Sequence, residues 1–255
     1  MKYNAVVEEI NIKQEDAQGS LKDWKFAIKD NINVLGTKTT ASSALLQNYE
    51  SIYNAEVIDR LLESGAHLVY KTSMDELAMG GSNRSAFTGP VENPYDTKRI
   101  SGGSSGGSAA LVASKDVRAS LGSDTGDSVR KPAAYCGIVG VKPTYGRVSR
   151  YGIIPYASSL DHLAYFTQNV DDAALVLENI AGRDDRDMSS SNELVDAYSQ
   201  LLDMDLNGKR IGVFKSVNDC VKNETTRAAF NQVVLELENK GAIIVEKEMD
   251  KAFSS

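Results

Sequence analysis

"RISGGSSGGSAALVAS", residues 99–114, has the composition of a flexible tether in its first half and of a helix start in its second. A tether needs polar sequence on both sides. Here the glycine-serine run passes without a break into small apolar residues, with serine or glycine available to cap them. The stretch therefore reads as a tight glycine-rich loop opening a helix within a fold. Such loops bring backbone N–H groups to an anion or oxyanion with the helix dipole behind them, and a plain tight turn uses the same residues.

Working outward, strands and helices alternate. "EVIDRLLESG" (56–65) places Val57, Leu61 and Leu62 at helical spacing before a glycine stop, and "AHLVYKT" (66–72) follows as a short strand around Leu68 and Val69. "NVDDAALVLENIAG" (169–182) has acids in its first turn, Ala173, Val176, Leu177 and Ile180 on one stripe, and Gly182 at its end. Further on, "RIGVFKSV" (210–217) reads as a strand and "NETTRAAFNQVVLELENKG" (223–241) as a helix burying Phe230, Val233, Val234 and Leu237. "AIIVEKEM" (242–249) then closes a βαβ unit as its second strand. This alternation predicts an α/β fold, a mixed, largely parallel sheet flanked by helices with right-handed crossovers.

The chain of 255 residues, 42% hydrophobic and 25% charged, is long enough to bury a real core and is expected to form one domain over 1–255. A net charge of −7 gives no general attraction for polyphosphate, so any nucleic acid it serves is expected to be held by another chain. Cys136 and Cys220 stand far apart, and "MKYNAVVEEINIKQ" lacks the regions of a secretory signal, which together suggest a reducing, cytoplasmic location. No apolar run approaches the roughly 20 residues that span a bilayer, so no membrane is expected. With only His67 and His162 and no clustered cysteines, no metal site is expected either.

A second serine-bearing turn follows in "ASLGSDTGDSVRKPAAYCG" (119–137), where a strand, a turn at Asp124–Gly126, Ser128 and a helix succeed one another. Three catalytic patterns compete. "GSSGG" around Ser105 fits G-x-S-x-G, but the only downstream histidine is His162, with Asp161 beside it instead of well before it. "SVRK" (128–131) fits S-x-x-K without the S-D-N or K-T-G that should follow. A serine activated by lysine through another serine needs no histidine and uses both turns.

These stretches resemble the amidase signature enzymes. The resemblance runs through "AIKDNI" (27–32), "MDELAMGGS" (74–82), "SGGSSGGSAALVAS" (101–114) and "LGSDTGDSVRKPAAYCGIVGVKPTYGRVSRYGI" (121–153), and covers most of residues 25–185. Within the family, "MDELAMGGS" and "KPTYGRVSRYGIIPYASSLD" (142–161) look most like the glutaminase subunit of the tRNA-dependent amidotransferases. The resemblance implies Lys29 as base, Ser104 as bridging serine and Ser128 as nucleophile. It implies an oxyanion hole from the backbone N–H groups of Thr125, Gly126, Asp127 and Ser128, and substrate contacts at Met79, Gly80 and Gly81. It also implies a strained or cis bond entering Ser104.

The lysine choice rests on spacing, because Lys71 in "VYKTSMDE" is a rival; the family's lysine precedes its bridging serine by 75 positions, as Lys29 precedes Ser104. The function implied is hydrolysis of glutamine to supply ammonia for amidating Glu-tRNA(Gln) or Asp-tRNA(Asn). Subunits B and C are the implied partners, tRNA is contacted mainly through B, and ATP and Mg belong to the partner, with no cofactor in this chain. A general amidase acting alone, a non-catalytic truncated paralogue keeping a partner-binding surface, and a purely structural α/β module are the alternatives.

Two departures stand at the site. Asp127 replaces a glycine and Lys131 a commoner glutamine, and the pair, four positions apart, is expected to compensate mutually. Relative to the family the chain also reads as shortened at both ends, with part of the glutamine-gripping set expected beyond residue 255.

Overall fold

Three parallel strands organise the site, and each is built from residues that suit burial on both faces. The computed structural model describes residues 2–248, which fall into two compact units, 1–200 and 201–255. In the first, strands Val6–Ile12 (β1) and Lys25–Lys29 (β2) precede helix Glu56–Glu63 (α1) and strand His67–Thr72 (β3). A hairpin of Glu92–Asn93 (β4) and Asp96–Ile100 (β5) leads to helix Gly106–Ala113 (α2), strand Ala119–Asp124 (β6) and helix Arg130–Tyr135 (α3). Strands Val139–Val141 (β7) and His162–Thr167 (β8) and helix Val170–Ile180 (α4) complete it.

The six-stranded sheet has the order β1-β3-β2-β6-β8-β7. Its centre, β3-β2-β6, is parallel, and β1, β8 and β7 join antiparallel. This is the expected mixed α/β architecture. Side-chain alternation divides the core between the two faces. Phe26, Ile28, Leu68, Leu121 and Tyr165 pack with Val57, Ile58 and Leu61 of α1 and Val176 and Ile180 of α4 on one side. Ala27, Ala164 and Phe166 pack with Ala109–Val112 of α2 on the other.

The helix ends follow local chemistry. In α4 the Asn169 side chain caps by accepting from Asp172 N at 2.7 Å, with Asp171 and Asp172 in the first turn. Helix α2 is nearly all small residues, and Gly107 needs to be: an added Cβ would lie 2.7 Å from the Ala5 carbonyl oxygen and against that of Ser73. The glycine-serine run is therefore a close-packed entry to a buried helix.

The second unit holds strand Arg210–Phe214 (β9), helices Lys215–Asp219 (α5) and Glu224–Asn239 (α6), and strand Ile243–Lys247 (β10), with β9 and β10 parallel as the βαβ reading requires. Two expectations are corrected. The strand ends at Phe214, and Lys215–Val217 begin α5, whose turn is closed by a 2.6 Å ion pair from Lys215 to Asp219. The α6 face is not buried: Phe230 and Val233 are exposed, and Val234 and Leu237 are half-covered. Periodicity identified an amphipathic face, and within this unit β9 and β10 cover only part of it. Met249 lies outside the described residues. Cys136, buried, and Cys220, exposed, are both free thiols, and no described helix is long and apolar enough to cross a membrane.

Candidate active site

Lys29 ends β2, Thr72 ends β3 and Asp124 ends β6, so three parallel strands deliver their last residues to one edge of the sheet. That carboxyl edge is where open α/β sheets place their ligands. Lys29 is fully buried, and its Nζ donates to Ser104 Oγ at 2.7 Å, Ser123 Oγ at 2.9 Å and Ser123 O at 3.3 Å. Burial lowers its pKa from 10.5 to about 7, against the opposing pull of Asp75, Asp124 and Asp161. An amine in that range exchanges a proton near neutral pH, which a solvated lysine does not.

Ser104 precedes α2 in the glycine-serine loop, and the Gly103–Ser104 peptide is cis. Ser128 stands in the turn after β6, and the two serine-bearing turns are pinned together by Ser105 N donating to Ser128 O at 3.1 Å. Ser104 Oγ and Ser128 Oγ are not hydrogen-bonded to each other. The structure thus joins Lys29 to Ser104 directly, and places Ser128 beside them through its backbone.

The elbow itself is shaped by Asp124. Its buried carboxylate accepts from Val129 N at 2.9 Å, from Arg130 N at 3.2 Å and from the Arg130 guanidinium. Burial alone would raise its pKa, but these donors hold it below the ordinary carboxylate range. Thr125 Oγ1 donates to Asp161 Oδ1 at 2.5 Å, and Asp161 Oδ2 accepts from Tyr156 N and Ala157 N. Among the described residues, the N–H groups of Thr125, Gly126, Asp127 and Ser128 have no protein acceptor. A Cβ added at Gly126 would meet nothing within 4 Å, so this side of the elbow is open. Four free donors on an open turn next to a serine are the arrangement an oxyanion hole requires.

The rival assignments separate cleanly. In the β2/β3 register Lys71 pairs with Ile28 and Lys29 with Thr72, so the two lysines project from opposite faces. Lys71 Nζ donates to Ile32 O, Lys38 O and Thr39 Oγ1 at 2.9–3.0 Å and stands 3.4 Å from Asp30 Oδ1, both side chains fully buried. Ser105 Oγ is spent on Ser123 O at 3.1 Å, and His162 contacts Leu160 O, Lys142 and the Tyr145 ring instead. Lys131 pairs with Asp127 at 2.6 Å, the compensation expected from their spacing. Met79 and Gly80 are exposed and Gly81 half-buried on the turn after Glu76–Ala78, and a Cβ on Gly81 would come within 2.5 Å of Lys131 Nζ.

Sequence reasoning missed Ser123, Asn31, Asp75 and Asp161. Asn31 Nδ2 donates to Ser123 Oγ at 3.2 Å and to Ile154 O at 3.1 Å, bracing the hydroxyl that receives Lys29. Their only sequence signal is membership of the same motifs: Asn31 in "AIKDNI", Asp75 in "MDELAMGGS" and Ser123 in "LGSDTGDS". The 540 Å³ cleft lined by Arg150, Tyr151, Ile153 and Asp187 shares only Asp161 with this site.

Residues 5–253 match the Amidase family model, and the chain belongs to that family. It is 48% identical over 229 residues to the A subunit of glutamyl-tRNA(Gln) amidotransferase from Chlorobium phaeobacteroides, covering 89% of this chain and 48% of that protein. The corresponding subunit of Pediococcus pentosaceus is 46% identical over 227 residues, 89% of this chain and 47% of the relative. The A subunit from Thermotoga maritima has a similar fold, with a TM-score of 0.91 at 39% identity, covering 97% of this chain and 54% of that one. The native peptide amidase of Stenotrophomonas maltophilia is similar at a TM-score of 0.86 and 34% identity, over 97% of this chain and 54% of its own. The chain spans about half the length of these relatives.

Proposed function

We propose that this chain carries the acyl-transfer machinery of the glutaminase subunit of a tRNA-dependent amidotransferase, within one amidase-type domain. The observation that carries the reading is the 2.7 Å bond from fully buried Lys29 to Ser104, beside the elbow bearing Ser128. The relatives that serve glutamyl-tRNA(Gln) amidotransferases support the choice of glutamine over other amides.

Neutral Lys29 accepts the Ser104 proton, Ser104 takes the Ser128 proton, and Ser128 Oγ attacks the side-chain amide carbon of glutamine. The Ser128-to-Ser104 hydrogen bond forms as substrate docks, since such bonds tighten in the substrate complex. Charge developing on the amide oxygen is met by the N–H groups at 125–128; one such donor contributes about 2.7–4 kcal/mol in comparable sites. The tetrahedral adduct collapses to an acyl-enzyme as the relay returns a proton to the leaving ammonia. Water then releases glutamate by the same path.

Ammonia passes to amidation of Glu-tRNA(Gln) or Asp-tRNA(Asn) on partner subunits B and C, which also hold ATP, Mg and most tRNA contacts in this reading. The likeness to a peptide amidase favours a second reading, a general amidase needing no partner. Glutamine and a small activated amide, assayed with and without subunits B and C, separate the two: partner-dependent glutamine hydrolysis supports the first, and partner-independent cleavage of both amides the second. Ser128→Ala abolishes activity in either case, and activity surviving in that variant refutes the serine mechanism.

A further inference from the structure

The strongest group that the relay leaves unused is Asp75. Its carboxylate is buried, with 1% exposure, and makes no ion pair among the described residues. It accepts instead from Ser82 N at 3.1 Å and Asn83 N at 2.8 Å on Oδ2, and from Arg84 N at 3.1 Å, Ser85 N at 3.4 Å and Ser85 Oγ at 3.0 Å on Oδ1. Both oxygens are therefore filled by one short loop, and the carboxylate has no spare capacity to serve as a ligand.

The same residue reaches the relay through its backbone, because Asp75 N donates to Ser104 O at 3.0 Å. Two glycines make room for it. A Cβ on Gly80 would lie 2.5 Å from Asp75 Cγ, and one on Gly103 would collide with Asp75 Oδ2. Asp75 thus joins the "MDELAMGGS" loop to the glycine-serine loop at the residue that receives the Lys29 hydrogen bond.

Resting on the relay proposed above, we propose that Asp75 is a positioning residue: its backbone and carboxylate fix Ser104 against Lys29, and its negative charge sets the pH at which Lys29 becomes a base. The charged groups facing Lys29 are Asp75 from the loop after β3, Asp124 from the end of β6 and Asp161 from the loop before β8. Asp124 is neutralised by Arg130, and the nearby Asp127 by Lys131. Asp75 is the carboxylate with the largest pull on Lys29 and has no cation of its own among the described residues.

The test is acylation-like labelling of Ser128 by phenylmethylsulfonyl fluoride, which needs no glutamine. The Ser128 oxygen bonds to sulfur, fluoride leaves, and the proton passes through Ser104 to Lys29. The rate is followed by mass spectrometry across the neutral pH range. In Asp75→Asn the amide offers one acceptor edge and one donor edge, so half of the loop's N–H groups face a donor. The expected result is a labelling rate lower by roughly 10- to 100-fold and an acid limb moved downward by on the order of one pH unit, because removing a nearby negative charge favours neutral lysine.

Gly80→Ala, which adds one methyl on an exposed turn and must displace the carboxylate, reproduces both effects in weaker form and stands in if Asp75→Asn fails to fold. Labelling of Ser128 with an unchanged rate and acid limb in these variants overturns the positioning role alone. Absence of Ser128 labelling in the unsubstituted chain overturns the relay and the role of Asp75 with it.

Discussion

Replacing Lys29 by methionine should inactivate the site and make the protein more stable at neutral pH. The lowering of the Lys29 pKa from 10.5 to about 7, at about 1.36 kcal/mol per tenfold change in proton affinity, corresponds to about 5 kcal/mol spent on burying the charge. Methionine fills a similar volume without that penalty. It forfeits three hydrogen bonds, to Ser104 Oγ, Ser123 Oγ and Ser123 O, at about 1 kcal/mol each. The balance is a variant more stable by roughly 1–2 kcal/mol near pH 7.

The pH dependence makes this a sharper test than stability alone. Below about 7 the lysine is protonated in both folded and unfolded states, and the full penalty is present. Between that value and 10.5 the unfolded chain holds a proton that the folded chain lacks, so the stability of the unsubstituted protein rises with pH by about 1.36 kcal/mol per unit. The advantage of Lys29→Met therefore shrinks, and the two stabilities cross near about pH 8 to 9, where the remaining penalty equals the lost hydrogen bonds. Urea unfolding followed by fluorescence of the single tryptophan, Trp24, measures this in the unit that holds the site. A variant less stable at pH 7, or a difference that does not change with pH, refutes the argument that burial makes Lys29 a base.

Lys71→Met should do the opposite: Ser128 labelling persists, while unfolding shows a loss of about 3–5 kcal/mol, because Asp30 is left as a buried charge without its partner. Loss of labelling with stability retained would return Lys71 to candidacy as the base. Lys131→Gln leaves Asp127 unpaired beside the oxyanion position and should slow labelling by up to about fivefold, the worth of a half-exposed pair. Adding Asp127→Gly to it should restore the rate, and a double variant as slow as the single one removes the case for compensation.

The sequence made some parts of this structure readable and hid others for definable reasons. α1 and α4 could be placed because their apolar spacing, first-turn acids and, in α4, the Asn169 cap all point the same way. The α6 face was over-read because amphipathic spacing says which side chains prefer cover, without saying what covers them. Lys29, Ser104 and Ser128 came from family spacing; composition alone treats Lys29 and Lys71 alike, each a lysine among apolar neighbours. What separates them is the parallel register that sets Ile28 opposite Lys71, sending one amine toward α2 and the serines and the other toward the carbonyls of Ile32 and Lys38. Asp75, Ser123 and Asp161 were illegible for a related reason. Each does its work on a residue from a different strand or loop, so its meaning arises only when β2, β3 and β6 end side by side. A buried lysine is costly wherever it stands; at Lys71 a paired carboxylate and carbonyl acceptors absorb the cost, while at Lys29 the acceptors are mainly hydroxyls that can return a proton, and the cost becomes basicity.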